Sequence, residues 1–380
     1  MLLIKNGKIK TMAGVDYENA SLFIDDDGKI AAIGENLEIP EGAEVIDAEG
    51  RLVTPGCIEA HCRIGLEGTA IGWEGEDYNE TSSPLTPQLR AIDGINPYDE
   101  AFEDARRGGI TTACIGPACS NVIAGSFAAI KLYGRRIDDM ILRTPIAMGA
   151  SFGNLTKQAQ AKNAASTRMG LAFLIREIFY KTKNYLTAKE EGKNPAFDMK
   201  LEALIPVIKG EIPLRARAHR ADDILTAIRI AKEFGIRLTL DFCTDGARIK
   251  EKIAATGFPV VVGPDFPTKS RGELMSRSFA TAGELYGAGS LVSITTNAGD
   301  TPIKHLPLCA GLASREGLPL EEAWRAITIN PATAMGISDR VGSLEVGKDG
   351  DVVIWTDDPL TTVSGTAYVT VIDGKVVFRR

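Results

Sequence analysis

A chain of 380 residues, 44% hydrophobic and 24% charged, is long enough for a large globular core with a small accessory unit. Its net charge of -7 and its lack of basic runs longer than pairs such as Arg135-Arg136 exclude a nucleic-acid footprint. No stretch nears the roughly 18 apolar residues of a membrane span, and the scattered cysteines form no CxxC and read as reduced thiols of a cytoplasmic protein.

The first 53 residues are short β-type runs broken by turns: Leu3–Lys5, Ser21–Ile24, Ile30–Ile33 and Val45–Asp47, with Asn6-Gly7 and Asp27-Gly28 between them. Lys5 interrupts the opening apolar run, so the N-terminus reads as strand and turn, not as a signal peptide. The middle alternates strands (Cys57–His61, Thr111–Ile115, Thr144–Met148, Leu214–Ala218, Arg237–Phe242, Val260–Val262, Leu291–Thr295) with helices (Pro97–Arg107, Ser166–Lys181, Arg220–Glu233, Ala280–Tyr286, Leu320–Ile329). That alternation predicts an α/β fold, a (β/α)8 TIM barrel over 54–337. A doubly wound sheet is the alternative, but no glycine-rich phosphate fingerprint follows the early strands. Strand-like runs return at Asp351–Trp355, Val369–Ile372 and Val376–Phe378, so segments 1–53 and 338–380 are expected to close one small β-sandwich domain.

Val53-Thr54-Pro55-Gly56-Cys57-Ile58-Glu59-Ala60-His61 resembles the Pro-Gly-x-Ile-Asp-x-His-x-His opening of amidohydrolase barrels. Ala218-His219-Arg220-Ala221-Asp222-Asp223, Arg277-Ser278-Phe279, Leu306-Pro307-Leu308-Cys309, Ile329-Asn330-Pro331-Ala332 and Val341-Gly342-Ser343-Leu344-Glu345-Val346-Gly347-Lys348-Asp349 are similar to its imidazolonepropionase-like branch. The resemblance implies a hydrolase of C–N bonds that uses one or two divalent ions such as zinc. The ligands would be a His-x-His on the first barrel strand, a carboxylated lysine on the fourth, a histidine on the fifth and on the sixth, and an aspartate on the eighth.

At those positions this chain keeps His61 but offers Arg63, Gly149, Arg217, Phe242 and Asn297. Zinc needs about three or four converging His, Cys or carboxylate ligands, and a guanidinium does not deprotonate. The expectation is a metal-free barrel with no cofactor, and the concentration of changes in the pocket points to an engineered or designed chain.

The chemistry left is metal-independent ester or acyl hydrolysis by a cysteine–histidine pair. Cys119 would be the nucleophile, His61 its base, His219 a second imidazole, and Asn121 an oxyanion donor. Arg63, Arg217, Phe242 and Asn297 would line the pocket for a small-molecule substrate, and either arginine could take an anion or pair with Glu59, Asp245 or Asp300. The alternatives are a non-catalytic barrel that binds a small ligand and a residual metal-dependent amidohydrolase. Neither nucleic acid nor membrane is an expected partner; a homo-oligomer is admitted.

Overall fold

The computed structural model describes residues 1–35, 37–38 and 41–380. The N-terminal strands are β1 (Leu2–Ile9), β2 (Tyr17–Ile24), β3 (Ile30–Gly34), β4 (Glu44–Asp47) and β5 (Leu52–Pro55). The middle of the chain contributes β6 (Cys57–Cys62), β7 (Ile110–Ile115), β8 (Ile123–Lys131), β9 (Ile141–Ser151), β10 (Leu214–Ala218), β11 (Leu238–Phe242), β12 (Val260–Val262) and β13 (Val292–Ile294). The chain closes with β14 (Val352–Trp355), β15 (Ala367–Ile372) and β16 (Lys375–Arg379).

Strands β6 to β13 form one sheet in chain order, and β6 to β8 and β11 to β13 are buried throughout, as expected of strands covered on both faces. The sheet nearly closes on itself. Its seam is sealed by the buried Glu59 of β6, whose carboxylate accepts from Thr295 Oγ1, from Thr296 Oγ1 and, at 3.0 Å, from Thr296 N just beyond β13. The terminal segments share a second sheet, in the order β16-β15-β14-β5-β1-β2-β3 with β4 beside β1. The expected pairing of chain ends around a barrel is therefore present.

One strand departs from the simple alternation. β8 runs antiparallel to both β7 and β9. Parallel neighbours need a crossover of a dozen or more residues, usually helical, and here the connections on either side of β8, residues 116–122 and 132–140, are shorter than that. Its sequence, Ile123-Ala124-Gly125-Ser126-Phe127-Ala128-Ala129-Ile130-Lys131, is buried throughout and is absent from the strands expected above.

The helix after β10, Ala221–Phe234, shows why the shell forms where it does. Ile224, Ala227, Ile228, Ala231 and Phe234 recur at helical spacing on the buried face. Asp222 and Asp223 favour its N-terminus, and Gly235 ends it in the left-handed conformation at φ +67°. The two sheets are joined by Lys131 at the end of β8, whose Nζ lies 2.8 Å from Asp351, 2.9 Å from Asp349 and 3.0 Å from Asp373. Burial opposes that ammonium, but the three carboxylates outweigh it and hold its pKa up at about 12. Among the described residues, no helix is long and apolar enough to cross a membrane.

Candidate functional site

The carboxyl ends of β6 and β9 to β13 open on one face of the barrel, where sites of such folds lie. Beneath that mouth is a buried charged core. Arg215 of β10 donates from Nε and Nη2 to the two carboxylate oxygens of Asp241 on β11, each at 2.9 Å. Its Nη1 reaches Ala60 O at 2.9 Å and Cys114 Sγ at 2.7 Å. Asp241 also faces His61, with Oδ2 2.8 Å from Nδ1. Burial pushes the His61 imidazole down to about 4, against the pull of Asp241 and with the help of Arg215 and Arg217, so it is neutral at pH 7.

Two phenyl rings box His61. Phe127 lies 5.1 Å away between ring centroids and Phe242 lies 5.0 Å away, edge-on. The Phe127 ring is seated between two glycines: a Cβ on Gly149 would stand 2.9 Å from its Cε2, and one on Gly116 would stand 2.2 Å from its Cδ1. Phe242 holds φ +76°, a strained value for a bulky residue. The turn behind it is tied by Cys243 N to Ala218 O at 3.1 Å and by Asp245 N to His219 O at 2.8 Å.

At the mouth itself, Arg217 on β10 and His219 just past its end follow Arg215 at alternate positions. The Arg217 guanidinium lies 4.4 Å over Phe242, and among the described residues it has no hydrogen-bond or ion-pair partner. The His219 ring stacks on Phe242 at 5.3 Å with 14° between planes, and its Nδ1 meets Thr244 Oγ1 at 2.8 Å. His219 Nε2 is buried without a partner. Burial, then Arg217, Arg271 and Arg277, drive this imidazole well below its ordinary value.

The other mouth cations are spent. Arg63 donates to Glu67 through Nε and to Asp300 at 3.1 Å, with its guanidinium 5.1 Å over Tyr78. Burial raises the Asp300 carboxyl, but Arg63 and then Arg217 outweigh it and hold it below the ordinary range. Arg271 pairs with Glu273 at 3.2 Å, and Arg277 donates to the carbonyls of Pro267 and Thr268. Asn297, at φ +45°, gives its Nδ2 to Asp300 at 2.9 Å.

Sequence reasoning overlooked Asp265, three residues past the end of β12. Among the described residues it has no hydrogen-bond or ion-pair partner, and burial lifts its carboxyl to about 7 against the pull of Arg277. It also overlooked Arg215 and Asp241; the alternation that placed Arg217 and His219 inward held the signal for Arg215.

Cys119 and Asn121 lie in the loop between β7 and β8. Cys119 is buried, its carbonyl accepts from Thr156 Oγ1 at 2.7 Å, and among the described residues no hydrogen bond joins it to His61. Asn121 donates to Thr86 Oγ1 at 2.8 Å and accepts from Gln160 at 3.3 Å. The structure thus gathers His61, Arg217, His219 and Phe242 around one ring, sets Arg63 with Asn297 on Asp300, and ties Cys119 and Asn121 into their own loop.

A crystal structure of an amidohydrolase from Thermotoga maritima is 36% identical, covers all of both chains and superposes with a TM-score of 0.96. The chain belongs to the amidohydrolase family. The family's sequence profile matches residues 216–377. An imidazolonepropionase from Sphingopyxis alaskensis is 25% identical over 94% of this chain and 92% of its own length. Amidohydrolase tasK of Hapsidospora irregularis is 27% identical over 90% of this chain, which spans 38% of that protein. An end-to-end match to the Thermotoga chain gives the expectation of an engineered or designed sequence no support, and that expectation is dropped. Among the described residues of this amidohydrolase, no group of three or more His, Cys, Asp or Glu side chains is placed to hold a metal ion.

Proposed function

We propose that this amidohydrolase hydrolyses a C–N bond of a small molecule at the barrel mouth without a divalent ion, and that Asp265 is its general base. The carrying observation is that Asp265, three residues past β12, has no hydrogen-bond or ion-pair partner among the described residues and that burial pushes its carboxyl up to about 7, the range in which a base is most effective at neutral pH. The names of the relatives, imidazolonepropionase and amidohydrolase, support the bond class.

The donor set does not fit a divalent ion. Two of the family's ligand positions carry guanidiniums, the glycine at the lysine position is needed by the Phe127 ring, and the one remaining imidazole is turned to Asp241. Asp265 would instead take a proton from water as the water oxygen attacks the carbonyl carbon. The same proton would pass to the departing nitrogen as the C–N bond breaks. Among the described residues no hydrogen bond joins Cys119 to His61, and the ester-cleaving role is set aside in favour of Asp265.

Hydrolysis of linear and cyclic amides, followed by product release with and without a chelator, tests this reading. The expected result is a rate unchanged by chelation and lowered about 10²–10⁴-fold in Asp265→Asn. A rate abolished by chelation and restored by zinc, or one untouched in Asp265→Asn, overturns it.

A further inference from the structure

We propose that the ligand of this mouth carries a carboxylate, which Arg217 and His219 take together over the Phe242 ring. The inference rests on the mouth being the substrate site and adds the class of molecule that enters it.

Arg215, Arg63 and Arg271 each pair with a carboxylate, and Arg277 donates to the Pro267 and Thr268 carbonyls, so their donors are already engaged. Arg217 is half-buried and carries five N–H donors with no acceptor among the described residues, while its flat face is fixed by Phe242 at 4.4 Å. Two residues on, just past the end of β10, His219 is 4% exposed and leaves Nε2 buried and unsatisfied. Leaving a buried polar group unmade is costly, and here the cost falls beside a free cation, on the same phenyl ring.

The chemistry of the missing partner follows. The Thr244 hydroxyl can donate to His219 Nδ1, which sets the neutral imidazole with its proton on Nε2. A guanidinium fork and one neutral N–H then converge on a planar acceptor with a single negative charge. That is a carboxylate: the fork matches its two oxygens. A phosphate dianion is disfavoured by the Asp300 carboxylate, which lies near enough to Arg217 to be stabilised by its charge. The strained φ of Phe242 fits a ring placed for the ligand rather than for the backbone.

The test is equilibrium binding without turnover. Acetate, propionate and benzoate are titrated calorimetrically against acetamide, propionamide, benzamide and inorganic phosphate, at neutral pH and constant ionic strength. At least one carboxylate is expected to saturate a single site about tenfold or more tightly than its amide and than phosphate. Arg217→Met keeps a contact on Phe242 and His219→Phe keeps the stack. Each is expected to weaken the carboxylate about tenfold or more, with amide binding unchanged. No saturable carboxylate binding, phosphate binding as tight as the carboxylate, amides binding equally, or two folded variants that bind as the parent does, overturns the proposal. Because no bond is broken, loss of activity on chelation would sink the metal-free reading and leave this one standing.

Discussion

His61 Nδ1 sits 2.8 Å from Asp241 Oδ2, and the same carboxylate is clasped through both oxygens by Arg215. A neutral imidazole, a carboxylate and a guanidinium thus occupy the barrel interior as one hydrogen-bonded set. Burial raises the Asp241 carboxyl, but Arg215 and then His61 outweigh it and hold it below its ordinary value.

Asp241→Asn should therefore be strongly destabilising, since it strands the Arg215 cation in the interior. Removing one partner of a buried pair costs about 3–5 kcal/mol. Replacing both, as Arg215→Met with Asp241→Leu, should cost much less. Urea unfolding of the two variants checks this; a loss under about 1 kcal/mol for the single variant would show that the pair is not the internal prop described here.

The raised Asp265 carboxyl makes a stability prediction of definite sign. Its value is about 7 in the folded protein against an ordinary 3.8, so the folded state holds the proton more tightly. The stability it contributes is full below about pH 3.8 and is lost as pH rises through about 7. His61 runs the opposite way, its contribution being lost as pH falls from 6.5 towards about 4, so the comparison must be a difference. Stability of the parent relative to Asp265→Asn should fall between these limits as pH rises. A flat difference would place Asp265 in solvent.

Rebuilding the family's ligand set tests the packing argument. Arg63→His, Gly149→Lys, Arg217→His, Phe242→His and Asn297→Asp combined should not bind zinc tightly, because the Phe127 ring lies 2.9 Å from a Cβ on residue 149. Adding Phe127→Ala should open the space and allow it. Zinc titration of both variants decides; tight binding with Phe127 intact would show that the ring yields.

Much of this was legible in the sequence, and the exceptions have physical causes. β12 falls where its apolar run begins and ends, and β10 keeps its expected bounds, Leu214–Ala218, although arginines alternate along it. β8 was missed because its small residues and two glycine neighbours resemble a loop until Phe127 fills the space they leave. Asp241 escaped because strict alternation allows only one of Asp241 and Phe242 to face inward. The left-handed backbone at Phe242 turns both to the interior. Arg63 and Arg217 looked equivalent as cations at ligand positions. Only the three-dimensional fold brings Glu67 and Asp300 to the first and leaves the second open.

The most direct test of the central claim, that this barrel answers its interior with its own charges rather than with an ion, is elemental analysis of protein purified without chelators. The account predicts less than about a tenth of an equivalent of zinc, manganese or iron per chain, since three or four converging donors are needed to retain such an ion. One or two tightly held ions per chain would contradict it.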